Sequence, residues 1–416
     1  MREQRATKPV EYERWTVALY LLLGSTARTV CMCFPDYFKD RIELTSSVAS
    51  FDRVVDGIAM IDDGVSPYSS NFIHYPPLLL HLYRTLWKMS ILTIPIQSLA
   101  LDTFTAYFIY AATRKVLKAQ KNPDAASWAL LSLQLYVFNP AAIASCSIYS
   151  VSVLYNFLAA LALRTFIRGT PESQIFYTLL ISVWSSFTIY PLALLSSTFA
   201  KHSSPVVIIS TIMIAVGSSC FIGLMNSSLS EDSTFLESTY GHILNYEDLS
   251  PNSGMFWYFF VQVFEHFRPF YVALFNSLYW LMQISLTLCI RDDSILHWIT
   301  CLLVSVIFFP YPTLNFASPV FAMFPMLAQY QKYPRYHLLT VSTVVVTVCL
   351  MPVMWHMWIV SSSGNANFFF AAVLVYNLAL IYMFGDLLFV YFRKQIDDRY
   401  FSDLNKKQAK FTFDLF

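Results

Sequence analysis

The sequence predicts an all-α polytopic membrane protein of about twelve transmembrane helices, with amphipathic helices lying along its non-cytosolic face. Three observations predict it. Of 416 residues, 56% are hydrophobic and 13% are charged, against about 25% charged residues in soluble domains. Mean hydropathy is +0.51. Apolar runs recur at lengths that approach the roughly 20 residues a helix needs to cross a bilayer, and the basic residues fall mainly on one side of the resulting path. The net charge of +1 offers no basic surface for nucleic acid.

The expected spans are 15–33, 91–113, 126–139, 151–168, 174–189, 190–201, 205–225, 269–290, 294–310, 317–330, 338–360 and 368–391. The first, behind the polar stretch MREQRATKPVEYER, lacks a small-residue cleavage site and reads as a retained signal anchor. Twelve crossings leave both termini on one side, which then holds 20 of the 27 Lys and Arg. By the positive-inside rule that side is cytosolic. Residues 76–90 are not counted as a span. His81, Arg84 and Lys88 form one stripe and Leu79, Leu82 and Leu86 another, the pattern of a helix lying in the membrane surface. Counting it would send the basic segment TRKVLKAQK outward. The chain therefore reads as a single membrane domain over 1–416. It has a first lumenal loop at 34–90, a second at 225–268 and a cytosolic tail at 392–416.

In the first loop, Asp52, Asp56 and Asp63 share one helical face while Val54, Ile58 and Ile61 line the other. Gly64 stands where that helix would stop. Three carboxylates could bind a metal–phosphate or act as a base; they equally suit the wet face of an interfacial helix. In the second loop, Glu265, His266 and Arg268 form a polar patch where the chain re-enters the membrane, and Glu265 has the spacing to pair with Arg268. Arg291 ends a span and suits a phospholipid phosphate or ordinary cytosolic anchoring. Asp102 and Asp386 lie inside spans, where a carboxylate is costly. Between the last two spans, Asn365 and Asn367 offer neutral donors and acceptors for sugar hydroxyls or phosphate oxygens, or a cap for the helix beginning near Phe368.

Asn226-Ser-Ser is a glycosylation sequon that abuts a span end. The seven cysteines lie in or beside apolar runs and read as small buried hydrophobes. No nucleotide loop, HExxH, GxSxG or Cys-His nucleophile pattern occurs. No catalytic residue, metal site or cofactor is expected.

Several strings carry a family resemblance. They are FDRVVDGIAMIDDGVSPYSSNFIHYPPLLLHL (51–82), LALDTFTAYFIY (99–110), LYVFNPAAIASCS (135–147), LSPNSGMFWYFFVQVFEHF (249–267), YPTLN (311–315) and MPVMWHMWIVSSSGNANFFF (351–370). In these the chain resembles the PIG-U family, the polytopic subunit of glycosylphosphatidylinositol (GPI) transamidase. It departs from the family at Tyr75-Pro76-Pro77, where many members read more like His-Glu-Thr-Pro.

The resemblance implies an endoplasmic reticulum protein with a fold like the GT-C glycosyltransferases. The implied partners are PIG-K, which bears the cysteine protease-like nucleophile, PIG-T, PIG-S and the GPI anchor attachment subunit. That complex removes a C-terminal signal from a proprotein and joins the new carboxyl end to the ethanolamine of GPI. The subunit itself is implied to be non-catalytic. It helps form the membrane cavity for the glycolipid, among phospholipids, with Asn365 and Asn367 at the GPI-binding hairpin. Glu265, His266, Arg291, Asp52 and Asp56 are weaker head-group candidates. The alternative is a GT-C mannosyltransferase using dolichol-phosphate-mannose, with the first-loop carboxylates as its acidic motif.

Overall fold

The computed structural model describes residues 2–169, 175–176, 205–230 and 233–400. Every regular element among them is a helix. The expected spans at 174–189 and 190–201 lie outside the described residues, 175–176 apart.

The N-terminal bundle begins with α1 (Arg2–Met32), whose apolar part starts at Glu13, and the short α2 (Asp36–Lys39). Two helices follow in the segment 34–90. Helix α3 (Phe51–Asp62) buries Phe51, Val54, Gly57 and Ile58, one stripe of a 3.6-residue period. It stops in a Schellman turn at Gly64 (φ +73°). There the Val65 N–H donates to the Met60 carbonyl (2.9 Å) and the Gly64 N–H to the Ile61 carbonyl (3.2 Å). Helix α4 (Pro77–Met89) has 13 residues, a length of about 20 Å that falls short of a bilayer's roughly 30 Å core. It lies against α3, where Asp62 accepts from Arg84 (2.6 Å) and Lys88 (2.7 Å).

Helices α5 (Thr93–Ala119), α6 (Ala125–Val137), α7 (Pro140–Ser147) and α8 (Ser152–Arg168) follow. Between α6 and α7 the chain bends by 46°. The cause is Asn139-Pro140. A residue before proline favours extended backbone, and Asn139 adopts it. The Asn139 side chain then accepts the Ala141 N–H (2.9 Å) and restarts the helix.

Helix α9 (Pro205–Leu229) leads to the second loop, which holds a π-helical turn at Glu237–Gly241 and then α10 (Phe256–Gln262). Helices α11 (Arg268–Cys289), α12 (Ser294–Phe308), α13 (Ser318–Met323), α14 (His337–Trp355) and α15 (Ala366–Tyr400) complete the chain. Among the described residues, five helical segments are long and apolar enough to cross a membrane, and α6 with α7 makes a sixth if the bent pair is one crossing. The expected span 317–330 is not one helix. Pro319 and Pro325 divide it into α13 and a 3₁₀ segment, Phe324–Tyr330, in which Leu327 leaves helical geometry. Helix α15 runs on through residue 400, past the expected start of the tail at 392.

The protein core sits where α5, α6, α8, α12 and residues 311–330 meet. Ile109, Leu133, Leu163, Ile299 and Val320 are fully enclosed there. The apolar segments of α1, α9, α11 and α14 keep only 17% of their best crossing window buried in protein, an apolar rim outside the core. That rim corrects the reading of the cysteines. Only Cys146 and Cys301 are buried, while Cys33, Cys220, Cys289 and Cys349 are exposed.

Candidate lipid head-group site

The hairpin between α14 and α15 is held by backbone bonds before any side chain contributes. Pro352 inside α14 removes one helical donor, and the helix widens into a π turn at His356–Val360. The Ser363 and Gly364 N–H groups both donate to the Met357 carbonyl (2.9 Å each). Ser362 takes φ +52°, an uncommon conformation for a residue with a Cβ. The next residue but two, Asn365, caps α15. Its Oδ1 accepts the Asn367 N–H at 3.0 Å, and its carbonyl accepts the Phe368 N–H at 3.1 Å. Capping and exposure hold together, since the Asn365 side chain is exposed while its oxygen caps.

Asn367 is also exposed, and its Oδ1 accepts a short hydrogen bond from the Tyr258 hydroxyl of α10. Tyr258 is itself fixed, stacked on Phe370 with ring centroids 4.1 Å apart and 13° between planes. Trp257 and Phe370 pack edge to face at 5.9 Å, and Trp355 packs on Phe369 at 5.5 Å. The aromatic string of the second loop therefore supports the asparagine hairpin from 109 residues away. Immediately beneath Asn367, Phe368 lies at one end of an open apolar groove of about 430 Å³ between α14 and α15. Leu350, Met354, Ala372 and Val375 line it further down.

The other sequence candidates lie elsewhere. Asp52, Asp56 and Asp63 are exposed around α3. Among the described residues no hydrogen bond or ion pair joins them to the hairpin. Glu265 and His266 are exposed at the head of α11. Arg268 does not pair with Glu265 but donates to the Tyr246 carbonyl (2.5 Å). Arg291 is exposed, and its Nε donates to the Leu288 carbonyl (3.0 Å), a local helix cap. Asp386 accepts the N–H groups of Arg335 (3.1 Å) and Tyr336 (3.3 Å), tying α15 to the start of α14. Asn226 is buried and its Oδ1 accepts the Leu78 N–H (2.9 Å), capping α4; that burial leaves no room for a sugar on its amide nitrogen.

Two arrangements escaped the sequence reading. Arg28 in α1 forms a buried ion pair with Asp102 in α5, and Tyr136 donates to the same carboxylate (2.8 Å). Asn156 donates to Tyr136 (3.4 Å) and to Asn315 Oδ1 (3.1 Å), and Asn315 donates to Ser152 (2.8 Å). The network draws three of the family-like strings together, those of Asp102, Tyr136 and Asn315. The second arrangement joins the two long loops. His74 and His242 are buried with stacked rings 3.4 Å apart, and Tyr311 stacks on His242 at 4.6 Å. Desolvation pushes His74 down to about 4 and His242 down to about 2, so both are neutral. Neither arrangement has a motif spacing that flags it.

A family described as GPI transamidase subunit PIG-U matches residues 22–376. The human GPI-anchor transamidase component PIGU is 29% identical over 413 residues, which is 91% of this chain and 94% of that protein. The mouse protein of the same name is 29% identical over 412 residues, with the same coverage. The GPI transamidase component GAB1 of Saccharomyces cerevisiae is 29% identical over 359 residues, covering 86% of this chain and 89% of its own length.

Proposed function

The chain belongs to the PIG-U family of GPI transamidase subunits, and from that premise we propose that it holds the GPI glycolipid while the bond-making chemistry runs on another subunit. The observation that carries this reading is the exposed Asn365/Asn367 hairpin set at the end of an apolar groove. A polar group over an apolar slot matches an amphiphile with a hydrogen-bonding head and hydrocarbon tails. Holding the head group positions the ethanolamine amine for attack, which accelerates by orientation alone.

A non-catalytic role is supported by the cysteines. Among the described residues one cysteine lies near a histidine ring, Cys301 at 3.4 Å from His297 Nε2. Both are buried within α12, where no proprotein carbonyl reaches them. The mannosyltransferase alternative is not favoured, because the relatives are named as transamidase components.

We further propose twelve crossings in a GT-C-like arrangement, an endoplasmic reticulum location and both termini in the cytosol. In this reading the partners are PIG-K, PIG-T, PIG-S and the GPI anchor attachment subunit, with Glu265, His266 and Arg291 at phospholipid head groups. The test is the Asn365→Ala/Asn367→Ala variant in cells that lack their own copy of the subunit. Display of a GPI-anchored reporter is expected to fall several-fold while the tagged variant still recovers the complex. Wild-type display would overturn the head-group reading.

A further inference from the structure

The joint between the first long loop and residues 311–315 holds a carboxyl group that the chain leaves without a partner. Among the described residues Glu13, Glu43 and Asp102 are the buried acids. Asp102 has Arg28 as its cation, and Glu13 has Arg114 (2.6 Å). Glu43 is 2% exposed, and neither of its side-chain oxygens has a hydrogen-bond partner among the described residues. Its place is fixed by the backbone. The Leu314 N–H donates to the Glu43 carbonyl (2.9 Å), and the next residue, Leu44, packs on Ala144 and Ile148 at the end of α7. We propose that Glu43 is a proton-binding site: the group is a neutral carboxylic acid at neutral pH, and loss of its proton loosens this joint.

The surroundings carry the assignment. In water about one glutamic acid in 500 keeps its proton at pH 7. Burial without a partner reverses that balance, because the charged form loses its hydration and the neutral form loses little. Desolvation pushes Glu43 up, and its own N–H and Arg41 draw it down by less. Arg41 is engaged elsewhere, its Nε donating to the Tyr37 carbonyl (3.2 Å). Asp36, Lys39 and Asp40, in and beside α2, are exposed. Helix α7 brings Cys146, which lies 3.5 Å from the Ser98 hydroxyl. The segment 311–315 brings Tyr311, whose hydroxyl donates to the His242 carbonyl (3.0 Å). His242 in turn lies 3.2 Å from the Ser47 hydroxyl and 3.6 Å from Glu247. Thr313 is buried with its Oγ1 unpartnered, so an acceptor for the acid's proton stands one residue from the backbone tie.

The joint is also a hub. Beside the Leu314 tie to the first loop, the Ser253 hydroxyl donates to the Pro312 carbonyl (2.7 Å) and the Asp248 N–H to the Tyr311 hydroxyl (3.0 Å), both from the second loop. Asn315 donates to Ser152 of α8 (2.8 Å). A charge at Glu43 therefore disturbs both loops at once. An unfolded glutamic acid ionises near pH 4.3, whereas the native group holds its proton to higher pH. The native chain then binds one proton more than the unfolded chain. Its stabilisation is complete below about pH 4.3 and is lost as pH rises through the raised native value.

The experiment uses the full chain purified in detergent. Infrared difference spectra at neutral pH are expected to show the carbonyl band of a neutral carboxylic acid, which a carboxylate lacks, in wild type and not in Glu43→Gln. In reversible denaturant unfolding, the ratio of unfolding constants, wild type over Glu43→Gln, is expected to grow by up to about tenfold per pH unit above about pH 4.3. If Glu43→Gln fails to fold, Glu43→Asp carries the assignment, since it keeps the acid and shifts the band. A wild-type spectrum without the band, or a ratio that stays constant with pH, would overturn the proposal. Stabilisation of wild type by Na⁺ or Ca²⁺ that Glu43→Gln loses would overturn it too, putting a metal cation in the proton's place.

Discussion

Removing the carboxylate of Asp102 tests whether the Arg28 pair holds the bundle or merely tolerates itself. In Asp102→Ala, Arg28 keeps two bonds, from Nη1 to the carbonyls of Val137 (2.8 Å) and Gly24 (3.1 Å). It loses its counter-ion, and Tyr136 loses its acceptor. Breaking a buried pair from one side typically costs about 3–5 kcal/mol. Two structural facts push the value to the low end. The carbonyls still solvate the guanidinium, and Arg28 lies four residues, about 6 Å, from the end of α1 at Met32, so its charged head can reach toward the interface. The expected loss is about 3 kcal/mol. Removing both charges in Arg28→Leu/Asp102→Leu should recover most of it, to within about 1 kcal/mol of wild type, because the desolvation cost goes with the charges. The assay is thermal unfolding of the detergent-purified chain, read as retention of the monodisperse peak. A single variant as stable as wild type refutes the reasoning. So does a double variant as damaged as the two singles added, which would show that the wider Tyr136–Asn156–Asn315 network, not charge balance, sets the stability.

Two other outcomes follow from the same geometry. His74 is neutral and buried, pushed down to about 4 by desolvation, with its Nδ1 at 2.8 Å from the Ser238 carbonyl. An unfolded histidine titrates near 6.5. The unfolded chain therefore binds a proton that the native chain refuses, and the His74 contribution, intact above about pH 6.5, is lost as pH falls toward 4. Between pH 6.5 and 5 the loss is about 2 kcal/mol. His74→Gln should flatten the acid limb of a thermal-stability profile, and an unchanged limb would sink the idea. In Gly254→Ala the new Cβ would meet Pro312 at 2.8 Å and Asn252 Oδ1 at 2.9 Å. That clash is expected to cost about 1–3 kcal/mol, whereas Gly217→Ala, with nothing within 4 Å, is expected to be neutral or mildly stabilising; equal stability of the two would refute the packing argument.

What the sequence disclosed divides along a physical line. The α3–Gly64–α4 unit was legible because everything that specifies it is local. An amphipathic stripe, a glycine at C′ and a Pro-Pro helix start sit within 40 residues, and a period of 3.6 reports which face is buried. The hairpin asparagines were legible as a polar pair, but their tertiary partner was not. That partner, Tyr258, is the one hydroxyl in an aromatic run that reads as generic interfacial anchoring, and it lies 109 residues from Asn367, so no local pattern links the two. Arg28 was hidden for the opposite reason. A lone cation in an apolar helix has no periodic signature, and its carboxylate is 74 residues away. Yet the two facts constrain each other. Asp102 inside a span required a donor to offset its burial, and Arg28 was the one cation within the expected spans 15–33 and 91–113. The pairing itself, between a cation in α1 and a carboxylate in α5, is made by tertiary packing. Asp386 is partnered differently: the backbone N–H groups of Arg335 and Tyr336, at the opening of α14, satisfy it. A carboxylate in an apolar helix thus reports a packing partner first, and the polar groups that remain exposed, Asn365 and Asn367 among them, are the ones left for the proposed head-group role.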